Sequence, residues 1–192
     1  MIYIVCSEAK HLATADEQQD ISQRLLREGL LREHDIRADQ SEIIRNDWGK
    51  PFLRDRRDVY FSISHCLGGA ALSISPFRTG IDIEKIRPFS PVTARKVLTD
   101  EELRTVMNSD TSERDFFVFW TLKESYTKAI GTGLSYPMKN IRFVVDRNRN
   151  MQCSMKGCLF GLFENNLGFV TAVCYLCRED HLEEKVEYCR LP

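Results

Sequence analysis

The sequence predicts an α+β fold, and two observations carry that expectation. Each half of the chain offers one long stretch at helical spacing followed by a run of short alternating segments, unlike the strand–helix alternation of parallel α/β proteins. The halves rhyme loosely in this order but share no letter-by-letter repeat, which leaves an internal duplication open. At 192 residues the chain can bury a real core as one domain or two small halves.

The elements follow in order. Met1-Ile-Tyr-Ile-Val-Cys6 is apolar and reads as a first strand. From Asp16 to Glu33 the apolar positions Ile21, Leu25, Leu26 and Leu30 recur at helical spacing, with Gly29 weakening the pattern. Asn46 to Arg57 is polar and turn-rich. Val59 to Ser64 alternates cleanly, Gly68-Gly69 marks a turn, and Ala70 to Ser75 reads as the partner strand of a hairpin. A strand over Gly80–Glu84 follows. Arg87 to Pro91 reads as a loop. Thr99 is placed as a helix N-cap, with Glu102 completing a capping box. Glu113 to Ile130 is the strongest helical segment, stopped by Gly131 and Gly133. Strands are expected near Ile141–Val145, Met151–Met155, Cys158–Phe163 and Gly168–Cys177. The charged tail from Arg178 is expected to be peripheral.

Composition narrows the class. Apolar residues make up 43% and charged residues 29% of the chain, and the formal net charge is -1. Nothing in that balance points to nucleic acid or an anionic membrane. The apolar runs are too short to span a bilayer. The N-terminus lacks the basic start and cleavage site of a signal peptide. Seven cysteines, an odd number, then read as reduced thiols of a cytoplasmic protein. Cys153, Cys158, Cys174 and Cys177 are irregularly spaced for zinc and read as small buried hydrophobes.

The most informative segment is Gly80-Ile81-Asp82-Ile83-Glu84. Strand side chains alternate, so Asp82 and Glu84 share one face and Ile81 and Ile83 the other. Neighbouring carboxylates repel unless a positive charge lies between them. A hard divalent cation such as Mg²⁺ is one answer; an edge strand with a solvated outer face is the other. In the long helix, Trp120, Glu124 and Lys128 fall on one stripe, four residues apart. That stripe is either a functional carboxylate–ammonium pair on a buried helix or a solvent-facing stabilising pair. Ser62-Ile63-Ser64-His65 ends a strand, where a hydroxyl and an imidazole can bind a phosphate or sugar, although a satisfied surface or core histidine is the commoner outcome for such a fragment. There is no P-loop and no dinucleotide fingerprint.

Taken together, four motifs resemble a known family. Trp48-Gly49-Lys50-Pro51, Phe61-Ser62-Ile63-Ser64-His65, Gly80-Ile81-Asp82-Ile83-Glu84 and Phe119-Trp120-Thr121-Leu122-Lys123-Glu124-Ser125-Tyr126-Thr127-Lys128 stand in the order and approximate spacing of 4′-phosphopantetheinyl transferases of the two-halved, surfactin-synthetase-activating type. Gly131-Thr132-Gly133-Leu134 and Thr171-Ala172-Val173-Cys174 fit the same pattern, so the resemblance runs from about Leu25 to Cys174.

The resemblance implies two similar α+β halves about a pseudo-twofold, residues 1–78 and 79–192, each a long helix on an antiparallel sheet. Coenzyme A would lie in the cleft between them. The implied reaction moves the 4′-phosphopantetheine arm of coenzyme A to a serine hydroxyl of an apo acyl or peptidyl carrier protein, releasing adenosine 3′,5′-bisphosphate. Asp82, Glu84 and Glu124 are implied as Mg²⁺ ligands, and Lys128 as a pyrophosphate ligand with Lys123 secondary. Gly49, Lys50 and Pro51 would border the adenine, and Ser64 and His65 would hold the 3′-phosphate end. Glu124 is the implied base, with a metal-bound water as its competitor, and Lys128 is grouped with it in the chemistry. The segment before the first long helix is short, which leaves Arg24 as the nearest extra partner for the 3′-phosphate. Arg87, Arg95 and Lys96 are candidates for a carrier-docking rim. A monomer is expected, since both halves lie in one chain. Two rival readings remain: another Mg²⁺-dependent phosphotransfer enzyme, and a catalytically silent relative that only binds coenzyme A or carriers.

Overall fold

The computed structural model describes residues 1–6, 14–38, 43–146, 150–178 and 185–189. The first half runs β1 (Ile2–Cys6), α1 (Ala15–His34), β2 (Ile43–Arg45), β3 (Pro51–Leu53), β4 (Tyr60–Cys66) and β5 (Gly69–Ser75). Helix α1 starts on a capping box between Thr14 and Glu17 and ends where Asp35 turns left-handed. Its buried face presents Leu25, Leu26, Gly29 and Leu30 to the sheet. Gly29 serves close packing here: a Cβ on it would stand 2.7 Å from Leu72.

The second half runs β6 (Arg78–Lys85), α2 (Pro91–Val97), α3 (Asp100–Met107), α4 (Ser112–Ile130), two short 3-10 turns, β7 (Phe143–Val145), β8 (Met151–Cys153), β9 (Leu159–Glu164), β10 (Phe169–Leu176) and β11 (Val186–Cys189). The capping box between Thr99 and Glu102 forms as the sequence predicts. Helix α2 departs from it. Ser90 caps a short helix with Pro91 in its first turn, so the loop ends at Ser90.

The rhyme between the halves is one of topology. Within one sheet the order is β1-β5-β4, and within the other it is β6-β10-β9. Both central strands are antiparallel to their two neighbours in these triplets. In each half the long helix follows the first strand, and a two-stranded hairpin, β2–β3 or β7–β8, follows the helix. Three apolar clusters hold this arrangement. One lies under α1 with Tyr3, Leu72 and Ile74, and one lies under α4 with Val170, Ala172 and Cys174. The third joins the two sheets through Ile2, Ile4, Ala71, Ile81, Ile83, Phe169 and Val173. Cys174, in β10, and Cys177, just past its end, fall in different clusters.

The tail is not peripheral throughout. Strand β11 pairs in parallel with β1, from Ile2↔Val186 to Val5↔Cys189, and supplies partners to an edge that would otherwise be open. Residues 179–184 and 190–192 of that tail lie outside the described residues. The last described strand of the chain therefore belongs to the sheet of the first half, across the division expected at residues 78 and 79.

Candidate active site

The floor of the site is where β6 meets α4. Gly80 makes this contact possible: a Cβ there would lie 2.0 Å from the Ser125 carbonyl oxygen and 2.3 Å from the Ala129 nitrogen. With the helix so close, the side chains of β6 that face it are buried. Ile81 and Ile83 enter the core between the sheets, and Asp82, on the opposite face, is only 5% exposed. The edge-strand reading with a solvated face is thereby excluded for Asp82.

Strand β4 supports β6 from the side. Ser62 Oγ accepts the Ile81 N–H at 3.0 Å, and Ser64 Oγ donates to Asp82 Oδ1 at 2.9 Å. Lys128 closes the group. Its Nζ lies 2.6 Å from Asp82 Oδ1 and 2.8 Å from Ser64 Oγ. Lys128 therefore turns into the site, and the solvent-facing pair with Glu124 does not form. Glu124 is buried, and burial, with the neighbouring Asp82 charge, pushes its carboxyl up to about 7. Glu84 is half-buried, its carboxyl raised by burial, and Arg87 Nη1 holds it at 2.7 Å while its guanidinium stacks over Phe117.

The three carboxylates thus sit within electrostatic reach of one another. Among the described residues, no three His, Cys, Asp or Glu side chains converge as a ready metal-binding group. Two observations nevertheless fit a hard cation: Asp82 Oδ2 is buried without a hydrogen-bond partner, and Glu124 resists ionisation beside it.

Above this floor opens a cavity of about 690 Å³ between the halves. Of the expected binding residues, Gly49, Lys50, Pro51, Ser64, His65 and Lys128 line it. The loop carrying the first three is built by Asn46, whose Oδ1 accepts the N–H groups of Trp48 and Lys50 at 3.1 and 2.8 Å. Gly49 then turns left-handed at φ 84°. His65 stands near the end of β4, exposed overall, its Nδ1 3.3 Å from Gln18 Oε1, and partial desolvation of its ring together with the Lys128 charge lowers its pKa.

Two expected residues are placed elsewhere. Arg24 is exposed and does not border the cavity; α1 turns Gln19, Ser22, Gln23 and Leu26 toward it instead. Those four fall at helical spacing one position off Arg24, a rotation that packing decides. Lys123 is fully buried, and its ammonium is shared among Glu102 at 2.6 Å, Val97 O at 2.9 Å and Met138 O at 3.1 Å. An ammonium has three N–H donors, so none is left for a pyrophosphate. Burial lowers the pKa of Lys123, against the pull of Glu102.

Sequence reasoning missed Arg45. It lines the cavity, and its Nη1 donates to Gly49 O at 2.7 Å. Its spacing four residues before Gly49 was the available signal. A second cavity of about 700 Å³ lies between the α3–α4 turn and β7 and β9. None of the expected site residues borders it, and its arginine, Arg114, is held by Glu164 and Asp115.

The model of the 4′-phosphopantetheinyl transferase superfamily matches residues 78–174, about half of the chain. The chain is 28% identical over 158 residues to the 4′-phosphopantetheinyl transferase Sfp of Bacillus subtilis (strain 168), covering 78% of this chain and 70% of that one. It is 33% identical over 133 residues to the 4′-phosphopantetheinyl transferase gsp of Aneurinibacillus migulanus, covering 67% of this chain but only 54% of that protein. Among solved structures, the holo-[acyl-carrier-protein] synthase of Thermotoga maritima matches with a TM-score of 0.45 and 21% identity, over 54% of this chain and 64% of that one.

Proposed function

The chain belongs to the 4′-phosphopantetheinyl transferase superfamily, and from that premise we propose that it transfers 4′-phosphopantetheine from coenzyme A to a serine of an apo carrier protein. The observation that carries the reading is one hydrogen-bonded group of buried Asp82 with Ser64 and Lys128, the last two of which line an inter-half cavity.

The reaction is a phosphoryl transfer. The serine oxygen of the carrier bonds to the phosphorus that bears pantetheine. The bond from that phosphorus to the bridging oxygen breaks, and adenosine 3′,5′-bisphosphate leaves with the electron pair. Such reactions depend on positioning and charge neutralisation more than on covalent chemistry. The cavity side chains Arg45 and His65 and the loop Gly49–Pro51 are suited to hold the nucleotide end. Lys128 offers an ammonium beside Asp82 that can follow the charge on the leaving phosphate.

Asp82, Glu84 and Glu124 would hold Mg²⁺, which when bound supplies charge neutralisation at the pyrophosphate. A proton acceptor for the serine is also needed. Glu124, raised to about 7, is matched to that task at neutral pH, although a bound cation would lower its basicity. Arg87, Arg95 and Lys96 are exposed just beyond β6; with Arg87 paired to Glu84, among the described residues Arg95 and Lys96 carry the free charge of the basic rim proposed for an acidic carrier helix. A monomer in the cytoplasm completes the reading. Among the described residues no helix is long and apolar enough to cross a membrane.

One assay tests it. The protein is mixed with coenzyme A, Mg²⁺ and a panel of apo carriers, and each carrier is weighed. A gain of one phosphopantetheine on serine supports the reading, and Asp82→Ala abolishes it. Nucleotide release without any carrier points to a hydrolase, and binding without transfer points to a silent relative.

A further inference from the structure

The last turn of α4 ends without carbonyl partners of its own. Thr127 O accepts from the N–H groups of both Gly131 and Thr132, and the next four carbonyls, residues 128 to 131, are left over. Side chains from the first half and the start of β6 take every one of them. Lys50 Nζ donates to Lys128 O at 2.5 Å and to Ala129 O at 3.2 Å. Arg78 Nη2 donates to Ile130 O at 2.6 Å, and Asn46 Nδ2 donates to Gly131 O at 2.8 Å. The third N–H of Lys50 goes to Thr79 O at 2.8 Å, in the strand that carries Asp82. Cations at a helix C-terminus also complement its dipole.

From this geometry we infer that Lys50, with Asn46 and Arg78, is a positioning clamp for α4. It sets the last helical turn against β6 so that Lys128 meets Asp82 and Ser64. The ammonium of Lys50 is turned away from any ligand, because all its donors are satisfied by backbone carbonyls. The residue lines the cavity, but its ammonium is already committed to Thr79 O, Lys128 O and Ala129 O. The loop from Asn46 to Pro51 therefore has two faces. One borders the proposed nucleotide end and the other grips the last turn of α4. The inference rests on the proposed transferase activity for its catalytic consequence but not for the clamp itself.

The test replaces Lys50 by Met and by Arg, and Arg78 by Met. Three quantities are read: turnover of apo carrier at saturating coenzyme A, coenzyme A affinity by calorimetry, and amide hydrogen exchange across residues 127–132. In Lys50→Met, turnover falls by about 10²-fold, the cost of a misplacement near 1 Å. Coenzyme A affinity changes far less, and exchange of the Gly131 and Thr132 amides speeds up. Lys50→Arg restores part of the turnover and of the protection. Loss of coenzyme A affinity in step with turnover, with exchange unchanged, makes Lys50 a substrate ligand and overturns the clamp. If Lys50→Met does not fold, Arg78→Met decides, because its exposed side chain holds a single carbonyl of the set, that of Ile130; unchanged exchange there overturns the proposal. If the wild-type protein transfers nothing, the functional reading fails while the exchange comparison still decides the clamp.

Discussion

Lys128 Nζ stands 2.6 Å from Asp82 Oδ1, a contact between a helix of the second half and the strand it packs on. Asp82 is almost fully buried, so this ammonium and the Ser64 hydroxyl are what make its charge tolerable. Lys128→Met should lower phosphopantetheine transfer by about 10²–10³-fold, as loss of a preorganised charge does. It should also destabilise the fold, by about 1.5–3 kcal/mol for a lost charged hydrogen bond. Adding Asp82→Asn in the same chain should recover stability but not activity. Urea unfolding of the single and double variants checks the cycle.

Glu124 and a cation compete through a proton. Its carboxyl is raised to about 7, so between the ordinary carboxylate range and about pH 7 the folded, cation-free protein holds a proton that the unfolded chain releases. The folded state binds more protons there, and this group's contribution to stability is full at low pH and lost as pH rises through about 7. A cation must displace that proton. Below about pH 7 the apparent Mg²⁺ affinity should weaken about tenfold per pH unit. Melting temperatures with Mg²⁺ and with chelator, at about pH 6 and pH 8, read this directly; a Mg²⁺ shift that is equal at both contradicts it.

Lys123 and Glu102 tie α3 to α4 in the core, at 2.6 Å and with almost no exposure. Glu102 also accepts the Phe143 N–H at 2.8 Å. Removing one partner from a buried pair costs about 3–5 kcal/mol. Lys123→Met should therefore lower the urea midpoint strongly while the folded fraction keeps its coenzyme A affinity. A selective loss of affinity with unchanged stability would return Lys123 to the pyrophosphate.

Gly80 and Gly49 separate two meanings of glycine. At Gly80 an added methyl meets helix backbone at 2.0 Å, and β6 must move from α4. Gly80→Ala should cost about 3 kcal/mol or more, the upper range of overpacking, and disorder the site. At Gly49 nothing lies within 4 Å and only the positive φ matters. Gly49→Ala should cost about 1–2 kcal/mol. Equal effects in thermal unfolding would refute the close-approach account.

Much of the arrangement was legible in the residues. The alternation of Ile81, Asp82, Ile83 and Glu84 gives their two faces, because the strand period is two wherever the strand lies. The helices and the capping box at Thr99 follow from local rules. The order of the four motifs carries the family. Some elements were not legible. Ser90 and Pro91 start a helix inside what reads as a loop. Strand β11 exists because β1 offers it a free edge, which nothing in residues 186–189 announces.

By itself, then, the sequence determined which side chains are available for the chemistry and on which face of each element they stand. Only the tertiary structure decided which of them meet. Lys50, Lys123 and Lys128 are alike as letters, yet Lys50 ends on backbone carbonyls, Lys123 on Glu102 in the core of the second half, and Lys128, at the cavity wall, on Asp82. Arg24 and Arg45 likewise exchange places at the cavity. A long flexible side chain chooses its partner from whatever the packed halves bring within reach, and that depends on the rotation of α1, the depth of α4 against Gly80 and the carbonyls left open at its end.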